Sequence, residues 1–137
     1  MIYHHNRFTV KADADPAAVE VALESLRTQG REIPSVEHFV VGRDLGGEFE
    51  YGAVFAITDI DGFWEYLVHP AHLNTDRVGL PIVDSFVSYD TTDDADPEIG
   101  DKIEALHARR YAEIADVRDL VANLPSYSGA ANPQQQS

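Results

Sequence analysis

The stretch Phe63-Trp64-Glu65-Tyr66-Leu67-Val68-His69-Pro70-Ala71-His72 gathers a phenol and two imidazoles beside two large aromatic rings. A tyrosine hydroxyl donates and accepts hydrogen bonds, and a histidine titrates near neutral pH. Together they suit proton transfer to and from a carbonyl compound. His72 would take an activated proton while the Tyr66 hydroxyl donates to the developing enolate or alkoxide. No cofactor is needed if that proton is already acidic, as between two carbonyls. The same residues have a structural reading. Pro70 deprives the Tyr66 carbonyl of its helical partner, and a buried bend requires another donor there. The residue before a proline leaves the helical region, so His69 sits at a corner.

Other candidates are more scattered. His4 and His5 point to opposite faces of a regular strand, so they cannot serve one site together. His4 is expected in the pocket and His5 toward a dimer face. Leu23, Leu26, Phe55 and Trp64 are expected as pocket wall between helices and sheet. His69-x-x-His72 with His4 also invites a metal reading. Catalytic zinc takes three close ligands supported by further carboxylates, which this spacing does not supply, so no metal is expected. Asp61 and Glu65 more simply serve a helix start. His107, Arg109 and Arg110 read as partners of Glu104, Glu113 or Asp116 at helical spacing.

The elements that must position these groups follow from pattern. Residues 2–10 alternate as a strand, with Ile2, His4, Asn6, Phe8 and Val10 on one face. Asp15 and Pro16 start a helix, Val19, Ala22, Leu23 and Leu26 form its apolar stripe, and Gly30 is expected to close it. Strands follow at 36–41 and 49–58, joined through Leu45-Gly46-Gly47-Glu48. Asp59-Ile60-Asp61-Gly62 caps a helix to about His69, a short helical piece runs to about Val78, and a fourth strand spans 82–91. Strand, helix, strand, strand, helix, strand is the ferredoxin-like order, a four-stranded antiparallel sheet with both helices on one face. The third strand is apolar on both sides, so the open face calls for a second copy. Residues 93–97 form an acidic linker and 98–125 one long amphipathic helix. The tail, 126–137, is expected to be disordered.

Bulk composition narrows the classes. At 137 residues the chain suits one domain, and its charge of −14 opposes binding to nucleic acid or an anionic membrane. The absence of cysteine excludes disulfides and thiolate chemistry. No signal-peptide pattern or membrane-spanning apolar run is present, so a cytoplasmic protein is expected.

The His4 strand opening, Ile33-Pro34, Gly42-Arg43-Asp44 and above all the Tyr66-x-x-His69-Pro70-x-His72 run resemble the stress-responsive dimeric α/β-barrel (Dabb) family over residues 1–92. The resemblance implies two ferredoxin-like α+β subunits packed sheet against sheet as a homodimer, with the C-terminal helix as an addition. Within the family it resembles the olivetolic acid cyclase-type members, whose catalytic Tyr and His match Tyr66 and His72. Their pocket histidines match His4 and His69, and a further one falls on Ala53. His38 is a candidate replacement for that missing group. The reading is a cofactor-independent acid–base enzyme of cyclase/lyase or isomerase type, acting on a small polyketide-like or aromatic compound in a pocket between helices and sheet. Alternatives are a non-catalytic stress or assembly protein and a cofactor-free monooxygenase.

Overall fold

The computed structural model describes residues 1–129 and 131. Strand β1 (Ile2–Val10) leads through α1 (Pro16–Glu32) to β2 (Val36–Arg43) and β3 (Tyr51–Ile57). Helices α2 (Ile60–Val68) and α3 (Pro70–Gly79) and a 3₁₀ turn (Leu80–Ile82) precede β4 (Val83–Thr92). Then come α4 (Ile99–Glu113), α5 (Ala115–Ala122) and a short β5 (Ser126–Ser128). The fold is ferredoxin-like α+β.

The sheet order is β2-β3-β1-β4-β5. The central strand β1 is antiparallel to both neighbours, pairing His4 with Phe55 on one side and with Asp90 on the other. Period-2 alternation sorts its side chains as expected: Ile2, His4, Asn6 and Phe8 are buried toward the helices. The core between sheet and helices is built from Leu23, Leu26, Phe55, Ile57, Phe63 and Leu67, among others. The opposite face stays open, with Tyr3, Val40 and Tyr89 exposed.

Local chemistry explains the helix starts. The Asp15 carboxylate accepts from the Ala17 amide with Pro16 in the first turn, and Asp59 accepts from Gly62 at 2.7 Å. Gly30 does not close α1, which runs on to Glu32. A Cβ at Gly30 would lie 2.1 Å from the Phe39 ring, so glycine is there to let β2 pack against the helix backbone.

Three expectations are corrected. The sheet is five-stranded and mixed, because β5 adds in parallel beside Ser85–Val87 of β4. The single helix over 98–125 is two, broken at Ile114, whose backbone is extended (φ −130°, ψ 81°). The break lets Val117 and Val121 turn in and pack with Tyr111. The start of the supposedly disordered tail is ordered: Ser126–Ser128 form β5, and the Tyr127 hydroxyl bonds Ser88 at 2.6 Å. Residues 130 and 132–137 of that expected tail lie outside the described residues.

Candidate functional site

The site grows from the break between α2 and α3. The last carbonyls of a helix have no partner of their own, and Pro70 brings no N–H. Two side chains fill the gap. The His72 Nδ1–H donates to the Tyr66 carbonyl at 3.0 Å, and Arg110 Nε donates to the Leu67 carbonyl at 2.7 Å. His69 is the N-cap of α3, its Nδ1 accepting from the Ala71 amide at 3.1 Å.

This arrangement fixes the His72 tautomer. With Nδ1 bound to a carbonyl, which only accepts, the neutral ring carries its lone pair on Nε2. Burial drives the His72 pKa down to about 3, outweighing the raising effect of Asp76, so the ring is neutral at physiological pH. Nε2 lies 3.7 Å from Asp76 Oδ2, and that carboxylate is held by the buried Arg110 guanidinium. A proton arriving on Nε2 would find a carboxylate beside it. The Tyr66 ring stacks 4.3 Å from His72, centroid to centroid. Burial raises the Tyr66 pKa, keeping the phenol protonated, and Asn6 is its hydrogen-bond partner. His4 donates Nδ1–H to Asp90 at 2.7 Å and packs edge-on to Phe63 and Tyr66. His107 of α4 lies beside His4, and burial holds its pKa well below the usual histidine value.

Two small cavities meet at His72, Asn6 and Asp76. One, of about 40 Å³, lies under the C-terminal segment among His4, His107, Arg110 and Tyr127. The other, of about 60 Å³, lies between α1, α3 and the sheet and is lined by Leu26, Gln29 and Tyr66.

His72 therefore lines both cavities, His4 the first, and Tyr66 and Leu26 the second. Leu23 and Phe55 are buried in the core and line neither cavity. Trp64 lines neither as well; its ring stacks under the Arg109 guanidinium at 3.9 Å. His38 is exposed on the opposite sheet face beside Tyr3, so it cannot stand in for the group missing at Ala53. His5 stacks on Tyr89 on that same face. Among the described residues, no cluster of three or more His, Asp or Glu side chains is arranged to hold a metal ion. Nor is any helix among them long and apolar enough to cross a membrane.

Sequence reasoning missed Asp76 and Gln29, and it read His107 and Arg110 as partners of carboxylates at helical spacing, whereas both are buried against α2 and α3 or the sheet. Arg110 interrupts the apolar stripe of α4, and Gln29 continues the stripe of Val19, Ala22 and Leu26. A polar residue in register with an apolar stripe was the available signal for both.

A family profile for the stress responsive A/B barrel domain matches residues 2–93. Comparison with curated proteins gives no match. Among solved structures, the chain resembles a dimeric ferredoxin-like protein of unknown function from Thermobifida fusca, with 26% identity and a TM-score of 0.60 over 66% of this chain and 89% of that one. It also resembles the hydroxynitrile lyase of Passiflora edulis, with 13% identity and a TM-score of 0.61, over 69% and 94%. A third is a mutant of SnoaB, a cofactor-independent oxygenase from Streptomyces nogalater, with 22% identity and a TM-score of 0.55, over 71% and 97%. At these identities the last two speak for the fold alone.

Proposed function

This chain belongs to the stress-responsive A/B barrel domain family, and from that premise we propose that it is a cofactor-independent acid–base enzyme acting on a small carbonyl compound. One observation carries the reading. His72 is a buried neutral imidazole whose Nδ1–H is tied to backbone, which directs the lone pair of Nε2 to the side where Asp76 and the cavities lie. His72 takes the proton, Asp76 stabilises the imidazolium that forms, and the neutral Tyr66 phenol donates to the oxygen on which charge develops. His4, oriented by Asp90, holds the substrate from the sheet side. His69 is committed to capping α3, which leaves it outside this scheme.

We also propose a homodimer through the open sheet face, supported by the dimeric Thermobifida fusca relative and by the exposed Val40, Tyr3 and Tyr89.

Catalysis is tested by hydrogen–deuterium exchange of 1,3-dicarbonyl compounds in D₂O, run without oxygen. His72→Asn keeps an N–H donor for the Tyr66 carbonyl while removing the base. Enzyme-dependent exchange in the wild type is expected to vanish in His72→Asn and to slow about 10²-fold or more in Tyr66→Phe. Exchange undiminished in a folded His72→Asn protein would overturn the assignment.

A further inference from the structure

Gln29 on α1 is 1 % exposed, yet among the described residues neither its Nε2 nor its Oε1 has a hydrogen-bond partner. Buried polar side chains are nearly always bonded, and here both ends of one amide are unmet. The position continues the buried stripe of Val19, Ala22 and Leu26, where a leucine would satisfy packing without stranding an amide. Gln29 is among the residues lining the 60 Å³ cavity, whose walls combine Phe8, Leu26, Leu80 and Phe86 with the polar Asn6, Thr75 and Asp76. Space on this scale takes a few waters or a planar group of about four heavy atoms.

We propose that Gln29 is the polar anchor of a ligand subsite in the cavity between α1, α3 and the sheet, and that it takes a neutral, amide-type head group. The chemistry follows from complementarity. A carboxamide side chain offers one acceptor and a donor side by side, so its match presents a donor and an acceptor side by side. A ligand with only an acceptor leaves Oε1 unmet, and sites of this kind discriminate sharply against such analogues. A carboxylate is disfavoured as well. Asp76 already lines the cavity and Arg110 is committed to it and to the Leu67 carbonyl, so a buried carboxylate would lack a partner and be strongly penalised. The same cavity is lined by His72 and Tyr66, so a head group held by Gln29 sets the adjoining carbon against the base. That last step rests on the proposed catalytic role of His72; the anchor itself does not.

The test is a titration of the isotopically labelled full chain with acetamide, read at the backbone amide signals of Leu26, Thr75 and Gly79 in the cavity wall, which every variant retains, and in the wild type also at the Gln29 side-chain NH₂ signals. Acetone and acetate are titrated in parallel. Expected are saturable shifts with acetamide in the millimolar range, since so few atoms cannot bind tightly. Acetone and acetate should bind at least tenfold more weakly. In Gln29→Leu the acetamide response should be lost while the melting temperature holds or rises. In His72→Asn acetamide binding should persist, so that loss of deuterium exchange there reports on the base and not on the anchor. Equal binding of acetone and acetamide by the wild type would overturn the proposal, as would no saturable shift, or acetamide binding unchanged in Gln29→Leu. If Gln29→Leu does not fold, Gln29→Met replaces it, and the wild-type ratio of acetamide to acetone decides.

Discussion

His72 carries two burdens that the sequence showed as rivals: it satisfies the Tyr66 carbonyl through Nδ1 and keeps Nε2 for other work. The orphaned carbonyl was legible, because proline's missing N–H follows from its covalent structure. The tautomer was not, because it depends on which atom the folded chain brings to Nδ1. The buried imidazole makes a pH prediction. His72 has a folded-state pKa of about 3 against an ordinary value of 6.5. Between those limits the unfolded chain binds a proton that the folded chain refuses, so this contribution is present above pH 6.5 and is lost as pH falls toward 3. His107 shifts in the same direction and adds to the loss. The slope approaches ~1.4 kcal/mol per pH unit for each histidine. Urea unfolding of wild type and His72→Asn at pH 7.5, 6.0 and 5.0 checks this, since asparagine does not titrate and the background cancels. Wild type should lose ground against the variant with each step down, and parallel curves would refute the assignment. Arg110 makes the second residue-scale prediction. Its pair with Asp76 is buried on both sides, so Arg110→Met strands a carboxylate at a cost of about 3–5 kcal/mol. The double change Arg110→Met with Asp76→Leu should recover much of that stability in denaturant titration, although any His72-dependent exchange should fall.

Among the elements, starts were easier to read than ends and joins. Asp15-Pro16 and Asp59 signal helix starts because capping is a contact within a few residues. Gly30 misled for the opposite reason. Its small size answers to Phe39 on the neighbouring strand, a tertiary contact with no trace in local spacing. The break at Ile114 and the addition of β5 are likewise set by what α5 and Tyr127 pack against, with no proline or glycine at the break. Gly30→Ala separates these causes. In an exposed helix interior the change would stabilise by about 1 kcal/mol. Here the new methyl meets an aromatic ring, and overpacking costs about 1–3 kcal/mol, so net destabilisation is expected. Pairing Gly30→Ala with Phe39→Leu should restore part of the loss in thermal melts. A stabilised single variant would mean that the helix, not the packing, governs this position.

For the whole molecule, the two faces of the sheet have different fates. The helix-side face is closed by the chain itself, including a C-terminal segment beyond residues 2–93 that contributes His107, Arg110 and Tyr127 to the cavity walls. A family pattern that ends before α4 could not have announced those residues, which is why half of this pocket was invisible in the motif. The other face carries the proposed contact with a second copy. Val40 is 62% exposed and stands on the same face as Tyr3 and Tyr89, so each of β2, β1 and β4 presents an exposed apolar or aromatic side chain on the open side. The β4 edge is partly occupied by β5, which favours association face to face over pairing of that edge. Val40→Lys places a charge where a second sheet would pack but leaves the chain's own core untouched. Sedimentation should show a dimer in the wild type and a monomer with near-native circular dichroism in Val40→Lys. Removing residues 126–137 frees the β4 edge and should leave the dimer intact. A dimer that survives Val40→Lys but is lost with residues 126–137 would move the interface from the face of the sheet to its edge.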